Sequence, residues 1–163
     1  MNPDPSLRTS GRIKFLADEM LGRLARWLRL LGYDTKYATR LTDSDVLDIA
    51  ESEGRTILTR DTLLIRQKRC RDYIFVKSDH WREQLKQVYV EAGLNCDAIL
   101  SRCVVCNIPL KPIDKQSVES FVPAYVYRTQ ESFSHCENCS RIYWSATHVS
   151  RILNDLKSLN KES

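Results

Sequence analysis

A chain of 163 residues, 42% apolar and 28% charged, is long enough to bury a core as one domain or as a domain with a small module. Its apolar runs fall short of the ~20 residues that a membrane span needs, and residues 1–11 carry no hydrophobic signal core, which predicts a disordered polar lead-in and a cytoplasmic protein. The net charge of +4 divides into +2 for residues 1–101 (17 basic, 15 acidic) and +2 for residues 102–163 (8 basic, 6 acidic), so charge admits a nucleic-acid partner without demanding one.

Ile13, Phe15, Leu16 and Ala17 form a short apolar run with the look of a buried strand, ended by Asp18. Met20, Leu21, Leu24, Ala25, Leu28 and Leu31 then repeat at helical spacing, with Gly32 placed as a C-terminal cap. Tyr33 to Ala38 reads as a second strand. Thr42 or Asp43 can cap the next helix, whose apolar face is Val46, Leu47, Ile49 and Ala50 and whose end is Gly54. Thr56 to Thr59 reads as a third strand, a basic helical stretch runs from Leu63 to Arg69, and Tyr73 to Lys77 reads as a fourth strand. Ser78 or Asp79 is placed to cap a helix carrying Trp81, Leu85, Val88 and Tyr89, which ends at Gly93. Such alternation predicts an α/β domain over residues 12–95, a parallel sheet with helices on both faces. Strand order does not follow from it.

The character of the chain changes after Leu94. Residues 102–148 show no long helical pattern but carry paired cysteines, three prolines and short β-like runs, Tyr125-Val126-Tyr127 and Ile142-Tyr143-Trp144. Residues 149–163 read as a short helical tail with Ile152, Leu153 and Leu156 on one side. Of six cysteines, Cys103-x-x-Cys106 and Cys136-x-x-Cys139 offer four thiolates in two turn-sized pairs, 29 residues apart. That spacing lets each pair point at one ion and lets both close a tetrahedron around zinc, in a ribbon too small to hold itself together by apolar burial. Four sulfurs leave no open position, so the site reads as structural. A redox pair would be expected at a strand–helix start of the α/β part, where neither pair lies. His148 follows the ribbon and reads as a packed or hydrogen-bonding histidine.

In the α/β part, Asp18 follows the first strand, Asp61 follows the third, and Asp43 with Asp45 begins the helix after the second. In a parallel sheet these points face one edge, where ligands of open α/β folds bind. Converging carboxylates are costly unless a cation neutralises them, and Mg²⁺ or Mn²⁺ suits an oxygen-only site used in phosphodiester cleavage. The same residues could equally be helix caps on a charged surface. Arg23, Arg26 and Arg29 recur at i+3 on the first helix and Arg60 adjoins Asp61, so these side chains could hold a phosphate backbone or simply face water.

Several stretches resemble the Mut-seven C-terminal ribonuclease family. They are Phe15-Leu16-Ala17-Asp18 followed by Met20-Leu21-Gly22-Arg23-Leu24-Ala25-Arg26-Trp27-Leu28-Arg29-Leu30-Leu31-Gly32-Tyr33-Asp34, then Arg55-Thr56-Ile57-Leu58-Thr59-Arg60-Asp61, and both cysteine knuckles with their flanks. The likeness covers about residues 13–148 and implies a PIN-like nuclease domain joined to a zinc ribbon. It implies Asp18, Asp43 and Asp61 as ligands of a catalytic Mg²⁺ or Mn²⁺, with Asp45 as a fourth candidate, and RNA, single-stranded or structured, as substrate. Arg23, Arg26 and Arg60 become candidates for holding its phosphates. The reading is therefore a metal-dependent endoribonuclease. One rival is a non-catalytic RNA-binding module with a zinc ribbon. Another is a phospho-receiver or phosphatase-like protein with Asp18 as nucleophile, which would want a lysine at a later strand end, a place Lys77 fills only nominally.

Overall fold

A computed structural model describes residues 12–159 and residue 161, so the lead-in expected over residues 1–11 lies outside the described residues. The chain divides into two compact units, one of residues up to Leu28 with Tyr33–Leu94, the other of Arg29–Gly32 with Asn95–Ser163.

The first unit is built on four parallel strands, β1 (Phe15–Ala17), β2 (Thr35–Tyr37), β3 (Thr56–Thr59) and β4 (Tyr73–Phe75), in the spatial order β2-β1-β3-β4. Between them run α1 (Gly22–Leu30, after a 3-10 turn at Glu19–Leu21), α2 (Asp43–Glu53) and α3 (Thr62–Ile65), and α4 (Trp81–Glu91) follows β4. The path leaves β1 toward β2 and returns to the other side of β1 for β3, so the direction of winding reverses between β1 and β3. Right-handed crossovers in opposite directions place α1 and α2 on opposite faces of the sheet. Side-chain alternation agrees: Leu16 and Ile57 pack with Val46, Leu47 and Ala50 of α2, Leu64 of α3, and Cys70. Phe15, Ala17 and Leu58 therefore face the other way, and Leu24, Ala25 and Leu28 of α1 with Leu85, Val88 and Tyr89 of α4 complete the buried set.

The expected helix boundaries hold where capping chemistry is explicit. Thr42 and Asp45 form a reciprocal capping box on α2, and Gly54 closes that helix in the left-handed conformation. Elsewhere they shift. The basic helical stretch expected from Leu63 to Arg69 stops at Ile65, and Arg69 turns instead to Asp48 (2.5 Å) and Glu51 (2.8 Å) of α2. Neither Ser78 nor Asp79 caps α4. His80 takes the N-cap position without a side-chain bond, while the Ser78 hydroxyl accepts from the His80 amide at 3.0 Å one turn earlier.

The second unit holds an antiparallel sheet of β5 (Lys111–Ile113), β6 (Phe133–His135) and β7 (Ile142–Tyr143) in the order β5-β6-β7. It also holds a 3-10 segment at Lys115–Val118, α5 (Ala124–Thr129) and the final helix α6 (Thr147–Leu159). The run Tyr125-Val126-Tyr127, read as β-like, is helical in α5. Pro123 fixes the turn into the helix, and Val126 and Tyr127 then lie half-buried on a core of Val118, Val122 and Phe133. Ile142-Tyr143 is a strand as expected, with Trp144 just past its end.

Candidate functional site

The reversal between β1 and β3 makes the carboxyl ends of these two strands the crevice where an open α/β sheet binds its ligand. Asp18 and Asp61 stand there. The Asp18 amide donates to the Leu58 carbonyl at 2.9 Å, which ties the turn after β1 to β3. Thr59, the last residue of β3, is fully buried yet polar. Its hydroxyl donates to Oδ2 of Asp18 at 2.8 Å and accepts the Asp61 amide at 2.9 Å. A threonine hydroxyl has one proton to give, so accepting the Asp61 amide leaves that proton for Asp18 and fixes the order of the chain of bonds. The other Asp18 oxygen accepts the Glu19 amide at 2.5 Å. Asp61 caps α3, its Oδ1 accepting the amides of Leu63 (2.7 Å) and Leu64 (3.4 Å). Both carboxylates are half-buried, and Met20 and Leu63, two residues after each, are exposed apolar side chains.

Asp43 is exposed at the first position of α2, with Oδ2 accepting from the Gln67 side chain at 3.0 Å. Asp45 is engaged in the capping box: the Thr42 hydroxyl and then the Thr42 amide bond its carboxylate and hold its pKa below the usual aspartate range. Among the described residues, Asp18, Asp43, Asp45 and Asp61 form no group of ligand atoms as tight as the one the cysteines make. An Mg²⁺ or Mn²⁺ site does not require such a group, since these ions keep waters and often bind through one or two carboxylates.

Two of the arginines expected near this edge, Arg60 and Arg23, have partners. Arg60 donates to the carbonyls of Val76 (3.2 Å) and Lys77 (2.7 Å), joining the ends of β3 and β4. Arg23 lies 5.2 Å from the ring of Trp81, which stacks on Trp27 with centroids 5.2 Å apart. Arg26 is exposed on α1. Arg29, grouped in sequence with these two, belongs to the second unit and donates to the carbonyls of Val104 (3.0 Å) and Val105 (3.1 Å) inside the first cysteine knuckle.

In that second unit the sulfurs of Cys103, Cys106, Cys136 and Cys139 all lie within 4.8 Å of one another. The two knuckles repeat one pattern. Cys103 and Cys136 each accept, at the carbonyl, the amide four residues on (Asn107, 2.9 Å; Ser140, 2.8 Å), and each donates its amide to the carbonyl of the next residue (Ile108, 2.8 Å; Arg141, 3.0 Å). Asn107 and Ser140 take positive φ to make this turn. The Cys103 and Cys139 sulfurs are 3.7 Å apart. That is far beyond a disulfide bond and close to the edge, about 3.8 Å, of a tetrahedron with Zn–S bonds of ~2.3 Å. His148 is exposed on α6 and stands outside this group.

Neighbours prepare the sulfurs. The Tyr143 hydroxyl accepts the Val104 amide (3.2 Å) and lies 3.1 Å from Cys103 Sγ, and the Asn138 amide donates to Cys106 Sγ at 3.1 Å. Burial pushes the Cys103 thiol up, but the Tyr143 hydroxyl and the backbone amides of Cys106 and Val105 outweigh it and bring the pKa down to about 6. At Cys139 the Arg141 amide favours the thiolate, but burial and the three neighbouring sulfurs prevail and raise the pKa to about 11. Four thiolates so close together need a cation to ionise as a set.

Thr59, Asn138, the bonds of Tyr143 to the first knuckle and the knuckle role of Arg29 did not emerge from the sequence. Thr59 left one trace there, a hydroxyl residue ending an apolar strand two positions before an aspartate.

No helix among the described residues is long and apolar enough to cross a membrane. No curated protein and no solved structure matches the chain. Residues 13–156 match the family described as Mut7-C RNAse domain. With the paired cysteines and the α/β sheet falling inside that span, the chain belongs to the Mut7-C RNAse domain family, whose name points to a nuclease-type role.

Proposed function

We infer that the protein is a metal-dependent endoribonuclease whose site is the carboxyl edge of β1 and β3. The observation that carries this reading is the buried Thr59 hydroxyl joining Asp18 to the Asp61 backbone at the point where the winding reverses. A buried polar side chain spent on holding the Asp18 carboxylate against the backbone of Asp61 is the kind of support an ion site needs. Asp18 and Asp61 hold the ion, and Asp43, at the start of α2, completes the acidic set. Asp45 sets the beginning of α2 through the capping box and so places Asp43. A Mg²⁺ or Mn²⁺ ion bound there supplies polarisation of the phosphoryl oxygens and a water acidic enough to attack. Arg23, Arg26 and the remaining N–H groups of Arg60 meet backbone phosphates. RNA, single-stranded or structured, is the substrate, in a reducing cytoplasmic setting where the cysteines form no disulfide framework. The four knuckle sulfurs hold a closed, structural zinc.

A non-catalytic RNA-binding module is the second reading, favoured by the use of Asp18 and Asp61 as caps and by the spread of the four carboxylates. Cleavage of a mixed-sequence single-stranded RNA by purified protein with Mn²⁺, with Mg²⁺ and with EDTA, beside Asp18→Asn, separates the two. Cutting that needs the ion and is lost in the variant is the expected result. RNA bound equally by both proteins and cut by neither would leave only the binding module.

A further inference from the structure

The second unit carries a cleft of about 610 Å³ beside the cysteine knuckles, which give Val104 and Ser140 to its wall. Its size falls within the ~300–1,000 Å³ of small-ligand sites. Three aromatic rings line it: Phe121, Tyr143 and Trp144. Two of them are held. Trp144 meets Phe133 edge-on with centroids 6.4 Å apart, and Tyr143 is pinned at its hydroxyl by Val104 and Cys103. Phe121 is 75% exposed, a large apolar ring left in water at the mouth of the cleft.

Polar groups share the same walls. Ser117 and His135 offer hydrogen-bonding side chains, Arg141 offers a guanidinium, and among the described residues no aspartate or glutamate lines the cleft. A ligand that matches all of this has a flat π face, a polar edge and a negative charge on the same molecule. An apolar peptide uses the rings but not the guanidinium, and an acidic peptide uses the guanidinium but not the rings. An unpaired nucleotide uses both, through base stacking and a phosphate contact.

We propose that this cleft takes an unpaired nucleobase of single-stranded RNA, stacked against Phe121 and Trp144 with its phosphate at Arg141. The ribbon unit is then a base-gripping module as well as a metal-stapled one. The proposal rests on the reading of RNA as substrate and adds where and how one base is held.

The test uses the full chain carrying Asp18→Asn, so that bound RNA is not consumed, and two fluorescent strands of equal length, one an ordinary oligoribonucleotide and one abasic. Anisotropy titrations give the affinities. Phe121→Ala is expected to weaken binding of the ordinary strand roughly ten-fold and to leave the abasic strand unchanged. Arg141→Ala is expected to weaken both and to reduce the salt slope by about one. Since Phe121 is exposed, the small core of Val118, Val122 and Phe133 survives its loss, which circular dichroism and metal content verify in the variant. Equal binding of the two strands, or an ordinary strand indifferent to Phe121→Ala, overturns the proposal, as does an absence of RNA binding altogether. Metal-dependent cutting by the unmodified chain alongside such indifference would remove the cleft and keep the nuclease. Base-dependent binding without any cutting would do the reverse.

Discussion

Thr59 concentrates the argument about the sheet edge into one side chain. Its hydroxyl is buried and fully committed, donating to Asp18 and accepting from the Asp61 amide. Thr59→Val keeps the shape and removes both bonds, leaving an Asp18 oxygen and the Asp61 amide without that partner. Thr59→Ser keeps the hydroxyl and loses a methyl group. If Thr59 positions Asp18 for the ion, Val should cut the cleavage rate by about ten-fold to a hundred-fold and raise the Mn²⁺ concentration needed for half activity, with Ser restoring most of both. A merely structural threonine would lower thermal stability in both variants without shifting the metal titration, and that outcome would sink the positioning role. The neighbouring aspartates were legible in the sequence because an acid just after a buried strand stands out. Thr59 was not, since a threonine in a strand is ordinary β-sheet composition until its partners are known. Arg29 shows a related limit: its place three residues after Arg26 fits a phosphate face or a solvated one, and only the fold reveals that it reaches the carbonyls of Val104 and Val105.

Elements were legible where local chemistry dictates them. Gly32 and Gly54 both read as helix ends, and both take positive φ, +91° and +63°. Their surroundings differ, which gives a graded prediction. A Cβ at Gly54 meets nothing within 4 Å, so Gly54→Ala carries only the left-handed backbone penalty of about 1 kcal/mol. A Cβ at Gly32 would sit 2.2 Å from the Ala98 carbonyl oxygen, a backbone atom of the same unit, and 2.7 Å from the Ser101 hydroxyl oxygen. Gly32→Ala should therefore cost about 3 kcal/mol or more. In thermal melts that is a fall of roughly 2–4 °C for Gly54→Ala and at least three times as much for Gly32→Ala. Equal falls would mean that residues 95–101 give way without cost. The misread elements are those whose patterns are short. Tyr125-Val126-Tyr127 alternates like a strand over three residues, too few to tell the two periods apart, and Pro123 with the waiting apolar surface of Val118 and Val122 decided for helix. The strand order β2-β1-β3-β4 lay beyond the sequence altogether, because it depends on long-range pairing between equally apolar strands.

At the scale of the whole molecule, the two units are held by different means. The first buries a continuous set of leucines, isoleucines and aromatics around four parallel strands. Around its small sheet the second has Val118, Val122 and Phe133 as a buried cluster and strands of two or three residues, and α6 adds Val149, Leu153 and Leu156, a small apolar set on which to keep a module folded unaided. Its knuckle turns, with Asn107 and Ser140 in left-handed conformations, bring the four sulfurs together. If those sulfurs hold zinc, the metal's binding energy is folding energy for this unit. Stripping it with a strong chelator should then abolish hydrogen-exchange protection at the amides of β5, β6 and β7. The amides of β1 and β3, whose partners are the backbone of neighbouring strands and their flanks in the first unit, should keep theirs. Readdition of zinc should restore the lost protection, and Cys106→Ser should reproduce the loss without a chelator. Native mass spectrometry reports the bound ion in the same samples. Protection in β5–β7 that survives removal of the ion would show that apolar packing suffices, and the four cysteines would then have no structural metal to explain their arrangement.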